Sequence, residues 1–182
     1  MNILILSAGT RDKVVQYFKK ELAGRGRVIA TDCSNLAPAV YEADAFYLVP
    51  RITAPDYLDV ILDICKKEKK TGVFSLIDPE LSLLAKESEK FLAVGTTPIV
   101  YDYDIVETCF DKYRMFEMLC KMQIPTAKCY ADKESFYRAQ EQGEISYPVF
   151  VKPVRGSASI HINKVGSKKE IEVWARPVAT PS

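Results

Sequence analysis

The sequence lacks a long apolar run and an excess of charge of either sign. Its first apolar stretch, residues 3–6, is too short for a signal peptide or a membrane-spanning helix. The 25 lysines and arginines nearly cancel the 24 aspartates and glutamates. Because no strong electrostatic field surrounds such a chain, neither nucleic acid nor a membrane is expected as a partner. These absences predict a cytoplasmic protein.

Patterns typical of metal sites are also missing. The chain has a single histidine, His161, and its five cysteines show no metal-type spacing. Most of the cysteines fall within apolar patterns, which predicts buried free thiols in a reducing compartment. They are Cys33, Cys65, Cys109, Cys120 and Cys129.

The first hundred residues alternate short apolar runs with amphipathic helical patterns. With 48% apolar and 27% charged residues, the composition is that of a globular protein, which can bury such runs. Alternating strands and helices predict a parallel, doubly wound, Rossmann-like sheet. The predicted strands cover residues 3–6, 28–30, 46–49, 73–75 and 92–94.

Ligands of such sheets bind at the carboxyl ends of the strands. Three weak candidates for substrate binding follow predicted strands here, and each has a structural alternative. Arg11 could hold a carboxylate or phosphate, or be a solvated surface arginine. Asp78 fits a helix N-cap before Pro79, and Glu80 could simply complement the helix dipole.

A dinucleotide cofactor is the first ligand to consider for this sheet. The turn at residues 7–11 has one glycine, Gly9, where the dinucleotide fingerprint requires three. Asp32 lies about where a ribose-binding acid would be, although acids end strands for other reasons too. An NAD-type Rossmann enzyme is therefore a disfavoured alternative.

The helical pattern after residue 111 contains a local conflict. Asp111 fits an N-cap, which places Lys112 at the first helical position, where a cation opposes the helix dipole. Such conflicts are expected at functional positions. The helix, with Phe116, Leu119 and Cys120 inward, should end before Pro125. A strand at 127–131 and a helix at about 132–142 are predicted next.

The stretch at residues 147–165 reads as two strands joined by a loop of small residues. Alternation places Val149 and Val151 on one face and Phe150 and Lys152 on the other. An aromatic ring beside a cation and a Gly/Ser loop suits a nucleotide, with the base on the ring and phosphates near the lysine. A plain hairpin with a solvent-facing lysine fits the pattern equally well.

Several motifs, in this order and spacing, resemble one family. The chain is similar to the ATP-grasp superfamily, specifically the branch of the carbamoyl-phosphate synthase large subunit, over about residues 1–166. The motifs are Asp111-Lys112, Ile124-Pro125-Thr126, residues 147–153, Gly156-Ser157-Ala158-Ser159, the turn at 7–9 and residues 76–80.

The resemblance implies three segments. Residues 1–110 would form a Rossmann-like preATP-grasp domain, residues 111–176 the small α+β first lobe of an ATP-grasp domain, and residues 177–182 an irregular tail. It also implies the nucleotide-binding residues. Lys112 and Lys152 would contact phosphates, Phe150 would line the adenine pocket, and the 156–159 loop would cover the phosphates. Arg155 joins these candidates, although relatives more often have arginine directly after the proline.

The family activates a carboxylate with ATP as an acyl phosphate, which an amine then attacks, while Mg²⁺ bridges the phosphates. This implies ATP, magnesium and a small-molecule carboxylate as ligands. Residues 166–182 hold no acidic cluster that could supply the family's metal ligands. The second ATP-grasp lobe is therefore expected to be missing and the chain inactive alone. The alternative is a non-enzymatic module completed by a separate C-terminal-lobe polypeptide or by a homodimer.

Overall fold

The computed structural model describes residues 1–69, 71–156 and 159–175. The chain divides into two compact units, Met1–Val106 and Glu107–Ser182. Ser157 and Ala158 of the predicted nucleotide loop lie outside the described residues, and so does the predicted tail at 177–182.

Unit 1 is built around a five-stranded parallel sheet with the strand order β3-β2-β1-β4-β5. The order reverses at β1, the first strand, which pairs with β2 on one side and β4 on the other. The predicted parallel, doubly wound sheet is confirmed. The strands are β1 (Ile3–Ile5), β2 (Val28–Asp32), β3 (Ala45–Leu48), β4 (Gly72–Phe74) and β5 (Thr97–Pro98).

Both faces of this sheet are covered, and every residue of β1 and β2 is buried. Because side chains alternate along a strand, Ile3 and Ile5 pack on one side and Leu4 and Leu6 on the other. The helices of unit 1 are α1 (Asp12–Leu22), α2 (Tyr57–Lys67), α3 (Asp78–Lys86) and α4 (Ser88–Ala93), with a 3₁₀ helix at Pro38–Glu42. Helix α5 (Tyr103–Phe110) follows β5.

The strand predicted at 92–94 is wrong, because the chain is helical there. Helix α4 buries Phe91 completely and leaves Leu92 55% exposed. Gly95 then turns the chain with a φ of +74°, a conformation that glycine adopts without strain, and β5 follows at Thr97. The apolar triplet was too short to distinguish a strand from a helix end by periodicity.

Unit 2 contains a two-stranded antiparallel sheet of β6 (Val149–Val151) and β7 (Asn163–Val165). Its small core consists of Phe136, Val165 and Ile171 with partly buried neighbours. The strand predicted at 127–131 is wrong: the segment pairs with neither β6 nor β7, and Tyr130 instead packs edge-on against Phe136. The remaining helices are α6 (Lys112–Lys121), α7 (Lys133–Glu141) and α8 (Lys168–Trp174).

The prediction of buried cysteines is wrong for most of them. All five thiols are free, but only Cys65 is buried. Cys120, predicted to face inward, is exposed, and no residue of α6 is fully buried. No helix among the residues that the structure describes has the length and apolar character to cross a membrane.

The packing of α4 gives a direct stability test. Phe91→Ala should lower the free energy of unfolding of unit 1 by about 3–5 kcal/mol, because it empties a fully buried ring site. Leu92→Ala, one position along, is the matched control and should change it by less than about 0.5 kcal/mol, since its side chain is largely exposed. Urea unfolding measures both, and equal losses would contradict the helical packing.

Candidate functional site

A completely buried carboxylate lies where β1 and β4 end. Glu80, in the first turn of α3, accepts hydrogen bonds from the hydroxyls of Ser7, Tyr57 and Ser75, each at 2.5 Å. Its charge is balanced by these donors, as burial requires. The predicted place of Glu80 in the first turn of a helix is confirmed, and its role as a complement to the helix dipole stays a prediction. The sequence offered no sign that Tyr57 and Ser75 would reach it.

The cluster also changes the chemistry of Tyr57. Burial raises the pKa of its hydroxyl well above the ordinary value of 10.0, and the nearby negative charge of Glu80 and their hydrogen bond raise it further. The hydroxyl therefore remains a donor at physiological pH. This arrangement links the turns after β1 and β4 to the start of α2.

Asp78 and Arg11 lie near residues of this cluster in sequence, but neither is among the residues that bond to Glu80. Helix α3 begins at Asp78 itself, and the capping position is Ile77, so the predicted N-cap is wrong. The Ser75 hydroxyl accepts the N–H of Ile77 at 3.2 Å, which supports the extended entry to the helix. Arg11 directs Nη1 to the carbonyl of Ser7 at 3.4 Å and is partly buried.

Asp32, the candidate ribose-binding acid, is committed to the protein's own backbone. Its Oδ2 accepts the N–H of Gly9 and its Oδ1 the N–H of Ser34, both at 2.9 Å. A dinucleotide would present its pyrophosphate to amides of such a turn. Here a carboxylate is bonded to one of those amides, and its charge would repel a phosphate. The geometry therefore counts against the NAD-type alternative.

In unit 2, the alternation predicted for β6 is confirmed. Val149 and Val151 pack against the core, whereas Phe150 is 65% exposed. Lys152, directly after the strand, is exposed, and so is Lys164, which lies opposite Phe150 in β7. We call Phe150, Lys152 and Lys164 the aromatic–lysine surface. It joins one ring to two cations, and the sequence reading had missed Lys164.

The predicted cap and first position of α6 are also confirmed. Asp111 Oδ1 accepts the N–H groups of Tyr113 and Arg114 at 3.1 and 3.0 Å. Lys112 follows, and both of its nitrogens meet the segment after β6. Its main-chain N–H donates to the carbonyl of Val154 at 3.0 Å, and its Nζ donates to the carbonyl of Gly156 at 2.7 Å. The structure thus brings Lys112 to the predicted nucleotide loop.

Arg155 faces carboxylates of the protein. Its Nη2 lies 2.7 Å from Oε2 of Glu107, its Nε lies 3.9 Å from Oδ2 of Asp111, and its guanidinium lies over the ring of Phe110 at 5.4 Å. Glu107 is only 8% exposed. The sequence analysis missed Glu107, although it precedes Asp111 by four residues, one helical turn.

Two ends of the loop have unusual backbone conformations. Gly156 has a φ of +138° and Ser159 a φ of +59°. The first is readily adopted only by glycine, so this position requires it. Within the described ranges, no group of three or more histidine, cysteine, aspartate or glutamate side chains could hold a metal ion.

The sequence of unit 1 identifies its family. Residues 3–99, more than half of the chain, match the family described as PylC-like, N-terminal domain. The chain belongs to the PylC-like N-terminal domain family. No curated protein is similar enough in sequence to count as a match.

Solved structures extend the likeness beyond the PylC-like region. The biotin carboxylase domain dimer of 2-oxoglutarate carboxylase from Hydrogenobacter thermophilus, in complex with MgADP, ADP and bicarbonate, aligns with a TM-score of 0.68 and 20% identity, over 94% of this chain and 39% of that chain. N5-carboxyaminoimidazole ribonucleotide synthetase from Thermotoga maritima aligns with a TM-score of 0.64 and 22% identity, over 94% of this chain and 42% of that chain. L-amino acid ligase from Bacillus licheniformis aligns with a TM-score of 0.63 and 18% identity, over 94% of this chain and 40% of that chain.

These relatives are ATP-grasp enzymes, and at such identities the likeness is one of fold. The expected fold, a preATP-grasp sheet followed by a small lobe, is confirmed. This chain spans about two fifths of the length of each relative. The likeness does not distinguish the carbamoyl-phosphate synthase branch from the others.

The Glu80 cluster predicts that replacing one carboxylate oxygen of Glu80 by an amide nitrogen lowers the stability of unit 1. Glu80→Gln should lower the free energy of unfolding of unit 1 by about 2 kcal/mol or more, because it removes the charge to which two buried hydroxyls and one partly buried hydroxyl donate. Glu89→Gln, an exposed position in the next helix, is the control and should have little effect. Thermal and urea unfolding measure both, and an unchanged Glu80 variant would contradict the account.

Tyr57 predicts an alkaline pH dependence. Its folded-state pKa is raised, so its contribution to stability is complete below pH 10 and is lost as the pH rises further, where the unfolded tyrosine ionises. The difference in unfolding free energy between wild type and Tyr57→Phe should be constant from pH 7 to 9. It should fall by about 1.4 kcal/mol by pH 11. Urea unfolding across this range tests it, and a constant difference would refute it.

Proposed function

We propose that this chain is the N-terminal part of an ATP-dependent carboxylate–amine ligase of the carbamoyl-phosphate-synthase-like branch of the ATP-grasp enzymes. The observation that carries the proposal is the contact of Lys112 with Gly156, in the same unit as the exposed ring of Phe150 on β6 and the exposed Lys152 that follows it. A cation and a glycine-dependent loop are the groups that phosphates require.

In this proposal, unit 2 supplies one wall of the ATP site. The adenine packs on Phe150, and the ammonium groups of Lys112 and Lys152 contact the phosphates. The loop from Gly156 to Ser159, including Ser157 and Ala158, covers them. An exposed ring next to cations supports this assignment, because a nucleotide presents a flat base and a compact negative charge.

The reaction proposed is transfer of the terminal phosphoryl group of ATP to a carboxylate, which releases ADP and forms an acyl phosphate. An amine then attacks the acyl carbon, and inorganic phosphate leaves. Fixed cations suit this chemistry, because phosphoryl transfer needs positioning and charge stabilisation more than covalent catalysis. Arg11, beside the end of β1, is proposed to hold the carboxylate substrate, with Asp78 as a weaker candidate. Glu80 is completely buried and bonded to three hydroxyls, so it is not proposed to contact the substrate.

Magnesium is proposed as the accompanying ion, since the biotin carboxylase relative is described with MgADP. The residues described in this chain do not fit a metal site, because no suitable group of ligands occurs among them. We propose that its protein ligands come from the second lobe of a longer polypeptide.

A second candidate is a nucleotide-binding module completed by another polypeptide or by a second copy of the chain. The exposed apolar side chains of unit 2, Phe150, Ile160 and Ile162, favour it, since a partner could cover them. Analytical ultracentrifugation, alone and with a separately expressed C-terminal lobe, discriminates the cases. For either case we propose a cytoplasmic location, which suits five free thiols.

Isothermal titration with Mg·ATP tests the nucleotide site. The wild-type chain should bind, and Lys152→Ala should weaken binding by about tenfold or more, because one charge-assisted phosphate contact is lost. Lys169→Ala, an exposed lysine of α8, is the control and should bind like the wild type. The proposal fails for this chain if no heat of binding appears at millimolar nucleotide.

A further inference from the structure

Three consecutive residues after β6 contact the region where α5 ends and α6 begins. We propose that the central one, Arg155, is a positioning residue: it holds residues 154–156 against Lys112 and does not itself bind phosphate. The consequence for nucleotide binding rests on the proposed function. The positioning itself does not, because it concerns contacts within the chain.

The guanidinium of Arg155 is oriented by three groups on the 107–111 segment. Glu107 provides the close contact, at 2.7 Å, and is almost completely buried. Asp111 adds a longer one at 3.9 Å, and the ring of Phe110 supports the planar cation from one side. An arginine suits this task, because its rigid fork can meet two carboxylates and a ring together.

The residues on either side of Arg155, Val154 and Gly156, both bind Lys112. The carbonyls of Val154 and Gly156 accept the two hydrogen bonds of Lys112, one from its main chain and one from its ammonium. The ion pair of Arg155 lies between these two contacts in sequence. It therefore fixes the short segment whose carbonyls determine where the Lys112 ammonium is held.

Charge gives a second reason to assign a positioning role. Arg155 faces two carboxylates, so removing it takes a cation away from Glu107 in α5 and from Asp111, the cap of α6. One of them, Glu107, is shielded from water, so its charge would be weakly screened. A phosphate near Lys112 would then be repelled as well as poorly positioned.

The test combines a readout without nucleotide and one with it. Four variants are compared: Arg155→Gln, Arg155→Lys, Glu107→Gln with Arg155→Gln, and Arg138→Gln. The last is a matched control, since Arg138 pairs at 2.9 Å with exposed Glu134 in the same unit. Amide hydrogen exchange by NMR reports on the Lys112 N–H, with the N–H of buried Ile171 as the internal reference.

Arg155→Gln should speed exchange at Lys112 by about tenfold relative to Ile171, and should weaken Mg·ATP binding by about tenfold. The double variant should recover part of the affinity, because it removes the negative charge of Glu107 that has lost its arginine, but not the slow exchange. Arg155→Lys should be intermediate, since it keeps the charge and loses the fork, and it serves as the test if Arg155→Gln does not fold. Arg138→Gln should match the wild type.

Unchanged exchange at Lys112 in Arg155→Gln and Arg155→Lys would overturn the positioning role. Faster exchange with unaltered Mg·ATP affinity would overturn its link to the nucleotide. If the wild type binds no Mg·ATP, the proposed function and that link fail together, while exchange at Lys112 still decides whether Arg155 holds the segment.

Discussion

The constraint on which both units depend is that a carboxylate withdrawn from water must be given donors. Glu80 receives three hydroxyls from the turns and helix around β1 and β4, and Asp32 receives two backbone amides at the end of β2. In unit 2, Glu107 receives the guanidinium of Arg155. Asp32 lies at the end of β2, Glu80 in the first turn of α3 and Glu107 within α5. Each one fixes a connection that burial of the apolar strands alone would leave undetermined.

This constraint also separates the two regions chemically. At the end of β2 in unit 1, a carboxylate is already bonded to the turn amide that a pyrophosphate would use. In unit 2, Glu107 and Asp111 are paired with Arg155. Phe150 on β6, Lys152 directly after it and Lys164 on β7 remain exposed. The carboxylate at the end of β2 therefore repels a phosphate, whereas the exposed lysines of unit 2 attract one. This contrast supports placing the nucleotide in unit 2.

Local signals in the sequence were sufficient for the alternation of β6 and for the Asp111 cap, because each depends on neighbouring residues. The parallel sheet was predicted from the alternation of strands and helices along the chain. The cap at Asp78 was misplaced by one residue, and the apolar pattern at 92–94 did not distinguish a strand from a helix end. The hydroxyl partners of Glu80 could not be predicted, because they come from three separate elements. The roles of individual residues in nucleotide binding stay predictions.

The most direct test of the central claim is where Mg·ADP perturbs the backbone amide spectrum of the chain. The account predicts shifts at Lys112, Phe150, Lys152 and Gly156, because these residues are proposed to form one wall of the nucleotide site. Little change should occur in the turn at 7–11, whose glycine amide is already bonded to a carboxylate. Shifts confined to the 7–11 turn, with none in unit 2, would contradict it.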